Sequence, residues 1–322
     1  MSEQASRREA SGPGPGSAAR RPVRWYILVF LAPATLIYTV FAIYPIAESL
    51  RLSLFRASEG EGVFVGLANY ARLVGEPYWA EQFWNALGNN VLLFLMHMLI
   101  QNPIALALAA LLSVPRLKGA AAYRTIFFLP TLLSVVVVGF IWQLILSPLW
   151  GITPAFMNWL GVGSFFAPWL GLESSALIAV TLISIWQYVG IPLMLFYAAL
   201  LNVPEETIEA ARIDGLSGWW IFWKVKLPLI LPTLGLVGIL TYIGNFTASF
   251  DLIYSIQGGL AGPDYSTDVM GTFLFRTFFG FQAQLGDVYM GATVASALFF
   301  IILVGVGCYL FGVQRRLQRY DS

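Results

Sequence analysis

The sequence predicts an all-α membrane protein of six transmembrane helices with both termini cytoplasmic. Three observations predict it. Of the 322 residues, 58% are hydrophobic and 11% charged, with a mean hydropathy of +0.74, whereas soluble domains carry about 25% charged residues. Six runs, 25–46, 86–112, 123–147, 175–201, 229–254 and 288–313, each reach the roughly 20 apolar residues that cross a bilayer core. The cations are also sorted along the chain. With the N-terminus inside, Arg7, Arg8, Arg20, Arg21, Arg24, Arg116, Lys118, Arg124, Arg212, Lys224, Lys226, Arg315, Arg316 and Arg319 are cytoplasmic, and only Arg51, Arg56, Arg72 and Arg276 are outside. Cationic loops resist translocation, so this asymmetry sets the orientation.

Residues 1–24 form a Ser/Gly/Pro/Arg-rich stretch too polar to fold alone, read as a disordered cytoplasmic tail before an uncleaved first helix. The first helix and its external loop occupy 25–84. That loop mixes Glu48, Glu59, Glu61, Glu76 and Glu81 with Phe64, Tyr70, Tyr78 and Trp79, a pattern for a short interfacial helix. The core follows over 85–313, with a cytoplasmic loop at 202–228, and 314–322 is a cytoplasmic tail. Pro33, Pro45, Pro103, Pro130 and Pro192 interrupt helices 1 to 4. Each frees backbone groups that neighbouring helices or water must satisfy, so the bundle is expected to enclose a polar space. Small residues at helical spacing, Ala105 with Ala109 and Gly291 with Ala295, favour close helix contacts. The external segments 148–173 and 257–287 are aromatic-rich and carry a single cation, Arg276.

Several chemistries are excluded. A lone cysteine, Cys308, forbids an internal disulfide or a cysteine metal cluster and reads as a packing residue. The single histidine, His97, lies among methionines in helix 2 and reads as a helix-packing hydrogen-bonder. The three lysines are never preceded by Gly, so no phosphate-binding G-x-x-x-x-G-K-[ST] loop exists. The chain is therefore expected to bind no cofactor or metal of its own, to contact membrane lipid, and to have no nucleic-acid partner and no catalytic residues.

The loop between helices 4 and 5 carries the most information. Pro204 followed by Glu205 and Glu206 starts a helix, and Gly215 ends it. Ile208, Ala211 and Arg212, with Ala210 beside them, form a narrow ridge on a helix too short to stand alone in water. Such a helix needs a partner surface. Ser217 then caps a second helix whose Trp219, Trp220, Phe222 and Trp223 lie at the membrane interface before the chain rises at Pro228.

Glu209-Ala210-Ala211, three residues, Gly215, nine residues, then Val225-Lys226-Leu227-Pro228 resembles the EAA loop of binding-protein-dependent ABC permeases. The family form has Ile where Val225 stands. The resemblance implies a type I ABC importer permease (MetI-like) core in a bacterial cytoplasmic (inner) membrane. It makes the loop a coupling helix on a separate ATPase, with Glu209, Ala210, Ala211, Arg212, Asp214 and Gly215 at the contact. Phe250-Asp251-Leu252-Ile253-Tyr254, then Gln257-Gly258-Gly259 and Gly262-Pro263, is similar to a segment of sugar and glycerophosphodiester-type permeases, with Leu260 and Ala261 interrupting the usual glycines. The implied partners are a second homologous permease, two copies of an ABC ATPase that binds ATP and Mg, and an external solute-binding protein.

Polar groups inside a membrane tend to face a cavity. Thr241, Asn245 and Ala248 share a face of helix 5, flanked by Tyr242; Ser184, Gln187, Tyr188 and Ile191 form a stripe on helix 4 beside Trp186. Asp251 stands near the external end of helix 5, and Gln101, Asn102 and Gln143 are weaker candidates. Neutral hydroxyls and amides with an aromatic platform suit a sugar or polyol. An importer for amino acids, peptides or oxyanions, and a membrane scaffold without a solute path, are the alternatives.

Overall fold

The computed structural model describes residues 25–58, 61–114, 117–282 and 284–314. The expected tail at 1–24 and all but Gln314 of the one at 314–322, with Glu59 and Arg116, lie outside the described residues. The described residues divide into two compact units, 25–48 and those from 49 onward. The first unit contains helix α1 (Trp25–Tyr38), which holds Pro33, a π-helical turn at Thr39–Ile43, and the start of α2 (Tyr44–Leu52).

In the larger unit, the loop expected to hold one interfacial helix instead begins with an antiparallel hairpin, β1 (Phe55–Ser58) against β2 (Glu61–Phe64), before α3 (Ala68–Gly75). Asn69, fully buried, clamps the hairpin entry by donating to Ser53 O at 2.9 Å and Phe55 O at 2.6 Å. The second span starts nine residues earlier than the hydropathy suggests. Helix α4 (Pro77–Met96) opens with Pro77 at its first turn, then a π-turn (His97–Gln101) leads into α5 (Asn102–Leu112). Its 36 residues extend about 54 Å at ~1.5 Å per residue, well beyond a core of roughly 30 Å.

Span 3 is sharply bent, span 5 begins at a bend, and span 4 is interrupted at a single residue. Helix α6 (Ala120–Phe128) ends in a 3-10 turn at Leu129–Leu132 around Pro130, and α7 (Val135–Leu146) leaves at 96°. After α8 (Ile152–Trp159) and two 3-10 turns, α9 (Glu173–Tyr188) and α10 (Gly190–Leu201) make the fourth span, parted at Val189. Pro192 causes that break, because it has no N–H for the Tyr188 carbonyl four residues back. Helices α11 (Glu205–Ile213), α12 (Gly218–Ile221), a π-turn (Phe222–Lys226) and α13 (Leu227–Leu229) lead at 67° into α14 (Leu231–Thr247), followed by α15 (Ser249–Gln257). Helices α16 (Met270–Phe279) and α17 (Val288–Cys308) complete the unit. Three helical stretches among the described residues are long and apolar enough to cross a membrane, and three bent pairs meet the same test together, for up to six spans.

Three π-turns have a common cause. Each ends two residues before a proline: Ile43 before Pro45, Gln101 before Pro103 and Lys226 before Pro228. The missing proline N–H releases a carbonyl one turn back, and the helix widens there.

Three apolar clusters hold the larger unit. Ala105 and Ala109 of α5, both fully buried, meet Leu193, Phe196 and Leu200 of α10, and Ile208 and Ala211 of α11 join the same cluster. A second gathers Leu93, Val138, Val180, Leu252 and Ile253; a third joins Leu73, Phe83, Phe273 and Met290. Close approach depends on small residues. A Cβ on Gly291 would lie 2.8 Å from the Phe278 Cα, and one on Gly190 would lie 2.7 Å from the Phe127 carbonyl oxygen. Cys308, expected to pack, is exposed at the end of α17.

Candidate functional site

The broken helices converge on a cavity of about 230 Å³, far above the ~10–15 Å³ that admits one water. Leu93, His97 and Gln101 form one wall; Val180, Ser184, Tyr188, Ile191, Pro192 and Leu195 a second; Val237, Thr241, Gly244, Asn245, Ala248 and Ser249 a third. The expected stripe of Thr241, Asn245 and Ala248 thus faces one space with Ser184, Tyr188 and Ile191. Asn245 sits in the last turn of α14, where the helix breaks at Ala248, and its carbonyl accepts from Asn90 Nδ2 at 2.7 Å and Ser249 Oγ at 2.6 Å. These side-chain donors serve a carbonyl at the end of the helical ladder.

Other expected pathway residues lie elsewhere. Tyr242 turns away from the cavity: its hydroxyl donates to Ile301 O at 2.7 Å, its ring lies beside Phe94 and Phe246, and Gly305 leaves the room it occupies. Gln187 is fully buried in the corner of the broken third span, with Nε2 3.3 Å from Leu133 O. Trp186 packs edge-on against Trp142. Asp251 is exposed in the first turn of α15, outside the cavity lining. Tyr188 is the one Phe, Tyr or Trp ring in the lining, so the expected platform is reduced to a single such ring. Gln143 donates to the Ile256 carbonyl and takes no part in the lining.

One cavity residue, His97, was not among the residues selected for the path, and a second, Gln101, was only a weaker candidate. His97 does hydrogen-bond between helices, with Nδ1 2.8 Å from Leu93 O and Nε2 3.0 Å from Ser184 Oγ, but it also lines the cavity beside Gln101. Their four-residue spacing within an apolar run was the available signal. Its strength depended on a π-turn that hydropathy does not register.

Helix α11 presents a different surface. Its periodicity turns Ile208 and Ala211 inward, at 8% and 6% exposure, while Glu209, Ala210, Arg212, Asp214 and Gly215 face outward and Ile213 is 87% exposed. Ala211 is therefore a packing residue of this chain, contrary to its expected place at a partner contact. The helix ends in a Schellman turn: Gly215 N–H reaches Arg212 O and Leu216 N–H reaches Ala211 O, both at 3.0 Å, with Gly215 at φ +82°. Ser217 occupies the N-cap position of α12 without a side-chain capping bond.

The segment after α15 is fixed by an ion pair that hydropathy also missed. Arg276 and Asp268, 1% and 0% exposed, meet through Nη2–Oδ2 at 2.7 Å and Nη1–Oδ1 at 3.3 Å. The guanidinium also reaches Gln82 Oε1 and Gly259 O, and lies 4.4 Å from the Tyr265 ring centroid. Burial pushes the Asp268 carboxyl up from its ordinary value, and the Arg276 guanidinium pulls it back. Asn85 and Asn89 of α4 tie down the same segment through the carbonyls of Tyr265, Ser266 and Asp268.

Broken apolar helices around a largely apolar cavity that carries a few neutral polar groups, with a short charged helix presented outside the bundle, define a polytopic membrane transport component. The chain belongs to the family of binding-protein-dependent transport system inner membrane components, whose match covers residues 101–319. It is 33% identical over 278 residues to a probable ABC transporter permease protein, YurN, of Bacillus subtilis (strain 168), covering 84% of this chain and 92% of that one. It is 30% identical over 276 residues to the lactose transport system permease protein LacF of Rhizobium radiobacter, covering 86% and 90%. The arabinooligosaccharides transport system permease protein AraP of Halalkalibacterium halodurans is 30% identical over 277 residues, covering 86% and 84%. In fold the chain is similar to a chain of a bacterial ABC transporter involved in the import of the acidic polysaccharide alginate. That likeness has a TM-score of 0.74 at 22% identity, over 92% of this chain and 96% of that one.

Proposed function

We propose that this chain is one permease subunit of an ATP-driven, binding-protein-dependent importer, forming half of the translocation pathway for a neutral sugar or related polyol. The observation that carries the reading is the cavity wall. It gathers hydroxyl, amide and imidazole groups from three spans and includes no Asp, Glu, Lys or Arg. A charged solute would call for a buried opposite charge; a polyol needs neutral donors and acceptors. The lactose and arabinooligosaccharide relatives support the same solute class.

In this reading the chain spans a bacterial cytoplasmic membrane with both termini inside. The outward face of α11, with Glu209, Ala210, Arg212, Asp214 and Gly215, docks on an ABC ATPase. Two copies of that ATPase bind the ATP and Mg; a second homologous permease completes the pathway, and an external solute-binding protein delivers the solute. Ser184, Tyr188, Thr241 and Asn245 lie along the path, while Ala211, Tyr242 and Gln187 support it by packing.

The test is uptake by the assembled transporter carrying Glu209→Lys or Gly215→Pro. Both variants are expected to insert and to lose uptake. Normal uptake by both, at unchanged protein level, refutes the docking assignment, and failure of the wild-type chain to co-purify with an ATPase refutes the whole reading.

A further inference from the structure

Several polar groups on the cavity wall are already committed to other partners. Thr241 Oγ1 donates to Val237 O at 2.8 Å and accepts from Asn102 Nδ2 at 3.1 Å. Ser249 Oγ donates to Asn245 O at 2.6 Å, and Asn245 Nδ2 to Thr241 O at 2.8 Å. His97 Nδ1 donates to Leu93 O, so Nε2 of the neutral ring is an acceptor and the Ser184 hydroxyl donates to it. The Thr241, Ser184 and Ser249 hydroxyls have thus given their protons to the protein. Toward a solute they act as acceptors.

Gln101 differs from these groups. It is 5% exposed, lines the cavity, and its Oε1 has no hydrogen-bond partner among the described residues. An unpaired buried amide oxygen is destabilising, and flipping the amide only moves the deficit to the nitrogen. The backbone keeps it there. Gln101 closes the π-turn ahead of Pro103, in which the Asn102 N–H reaches back to His97 O. Such turns recur at functional sites, and this one holds His97 and Gln101 on the same wall.

We propose that Gln101 is a specificity-determining residue for the solute. Turned toward the solute, its carboxamide accepts a hydrogen bond from one hydroxyl of a neutral sugar or polyol through Oε1 and donates one back through Nε2. Ser184, held by His97, accepts from a second hydroxyl. The assignment rests on reading the cavity as the solute path. It moves the principal donor from helix α14, where the sequence pattern pointed, to the α4–α5 span.

The test uses the complete transporter in cells lacking the wild-type copy of this chain, with radiolabelled lactose, arabinotriose and raffinose as probes. For a probe that is taken up, derivatives lacking one hydroxyl at a time are compared. Gln101→Leu is expected to lower uptake efficiency about tenfold for the parent sugar, the loss of one hydrogen bond. For one deoxy derivative, wild type and variant should be equal. Equal losses for the parent and every derivative, or no loss at all, overturn the assignment while leaving the solute path intact. No uptake of any probe by the wild type overturns both.

A labelling measurement covers a variant that accumulates poorly. In a Cys308→Ser background, Gln101→Cys should react with a small methanethiosulfonate and be protected by the transported sugar. Leu99→Cys, at a position 71% exposed outside the cavity lining, should show no sugar protection. Absence of labelling at position 101, or equal protection at both positions, overturns the proposal.

Discussion

Replacing Arg276 by Leu removes the cation from a carboxylate with no access to solvent. Five contacts disappear: the two-pronged pairing with Asp268, the bonds to Gln82 Oε1 and Gly259 O, and the stacking on Tyr265. Asp268 then keeps a 2.6 Å bond from Thr272 Oγ1. Breaking a buried pair from one side costs about 3–5 kcal/mol, because the remaining charge has neither water nor a counter-ion. The fully buried environment puts this pair in that range rather than the ~0–1 kcal/mol of a surface bridge. Asp268→Asn should be similarly harmful, since it leaves the guanidinium unpaired. The double variant Asp268→Asn/Arg276→Leu removes both charges and should be more stable than Arg276→Leu alone. Thermal unfolding of the purified transporter in detergent reads all three variants against wild type. Strict additivity of the two single losses, or an Arg276→Leu loss below about 0.5 kcal/mol, the size of an ordinary surface substitution, refutes the reasoning.

The glycines give sharper contrasts. Gly215 sits at φ +82° with nothing within 4 Å of an added Cβ, so Gly215→Ala should cost about 1–2 kcal/mol from conformation alone; Gly215→Asn should cost less, and the order is read by melting. Gly190→Ala would drive its Cβ into the backbone of Phe127 and Phe128 at 2.7 and 2.8 Å, an overpacking of about 1–3 kcal/mol, seen as a lower unfolding temperature. Gly244 is helical, lines the cavity and has open space around an added Cβ. Gly244→Leu should therefore raise stability by up to about 1 kcal/mol through helix propensity while abolishing uptake. Lost stability together with normal uptake would contradict the position assigned to it.

The ridge of α11 shows how far periodicity carries. Ile208 and Ala211 share a face at three-residue spacing, and that face is the buried one. The pattern alone does not say whether an apolar ridge meets its own chain or another. Burial in the cluster that also holds Phe196 and Leu200 decides this for Ala211. The pathway stripes divide in the same way. Thr241 and Asn245 reach the cavity, whereas Tyr242 finds a pocket beside Gly305. A polar side chain in an apolar helix announces that it needs a partner, but not which neighbour provides it.

The sequence by itself determined the membrane setting, the apolar runs and the short charged helix between spans 4 and 5. Each depends on composition or on spacing within a single helix, where neighbours along the chain are neighbours in space. The Pro and Gly signals also marked where the helices break. Tertiary structure alone decided the bend angles, the burial of Ala211, the Arg276–Asp268 pair, and the meeting of His97 with Ser184 across 87 residues beside Gln101 on the cavity wall. Those outcomes depend on which helix faces which. That choice is made by whole-surface packing and by the need to satisfy every buried polar group, and no local window of residues contains it.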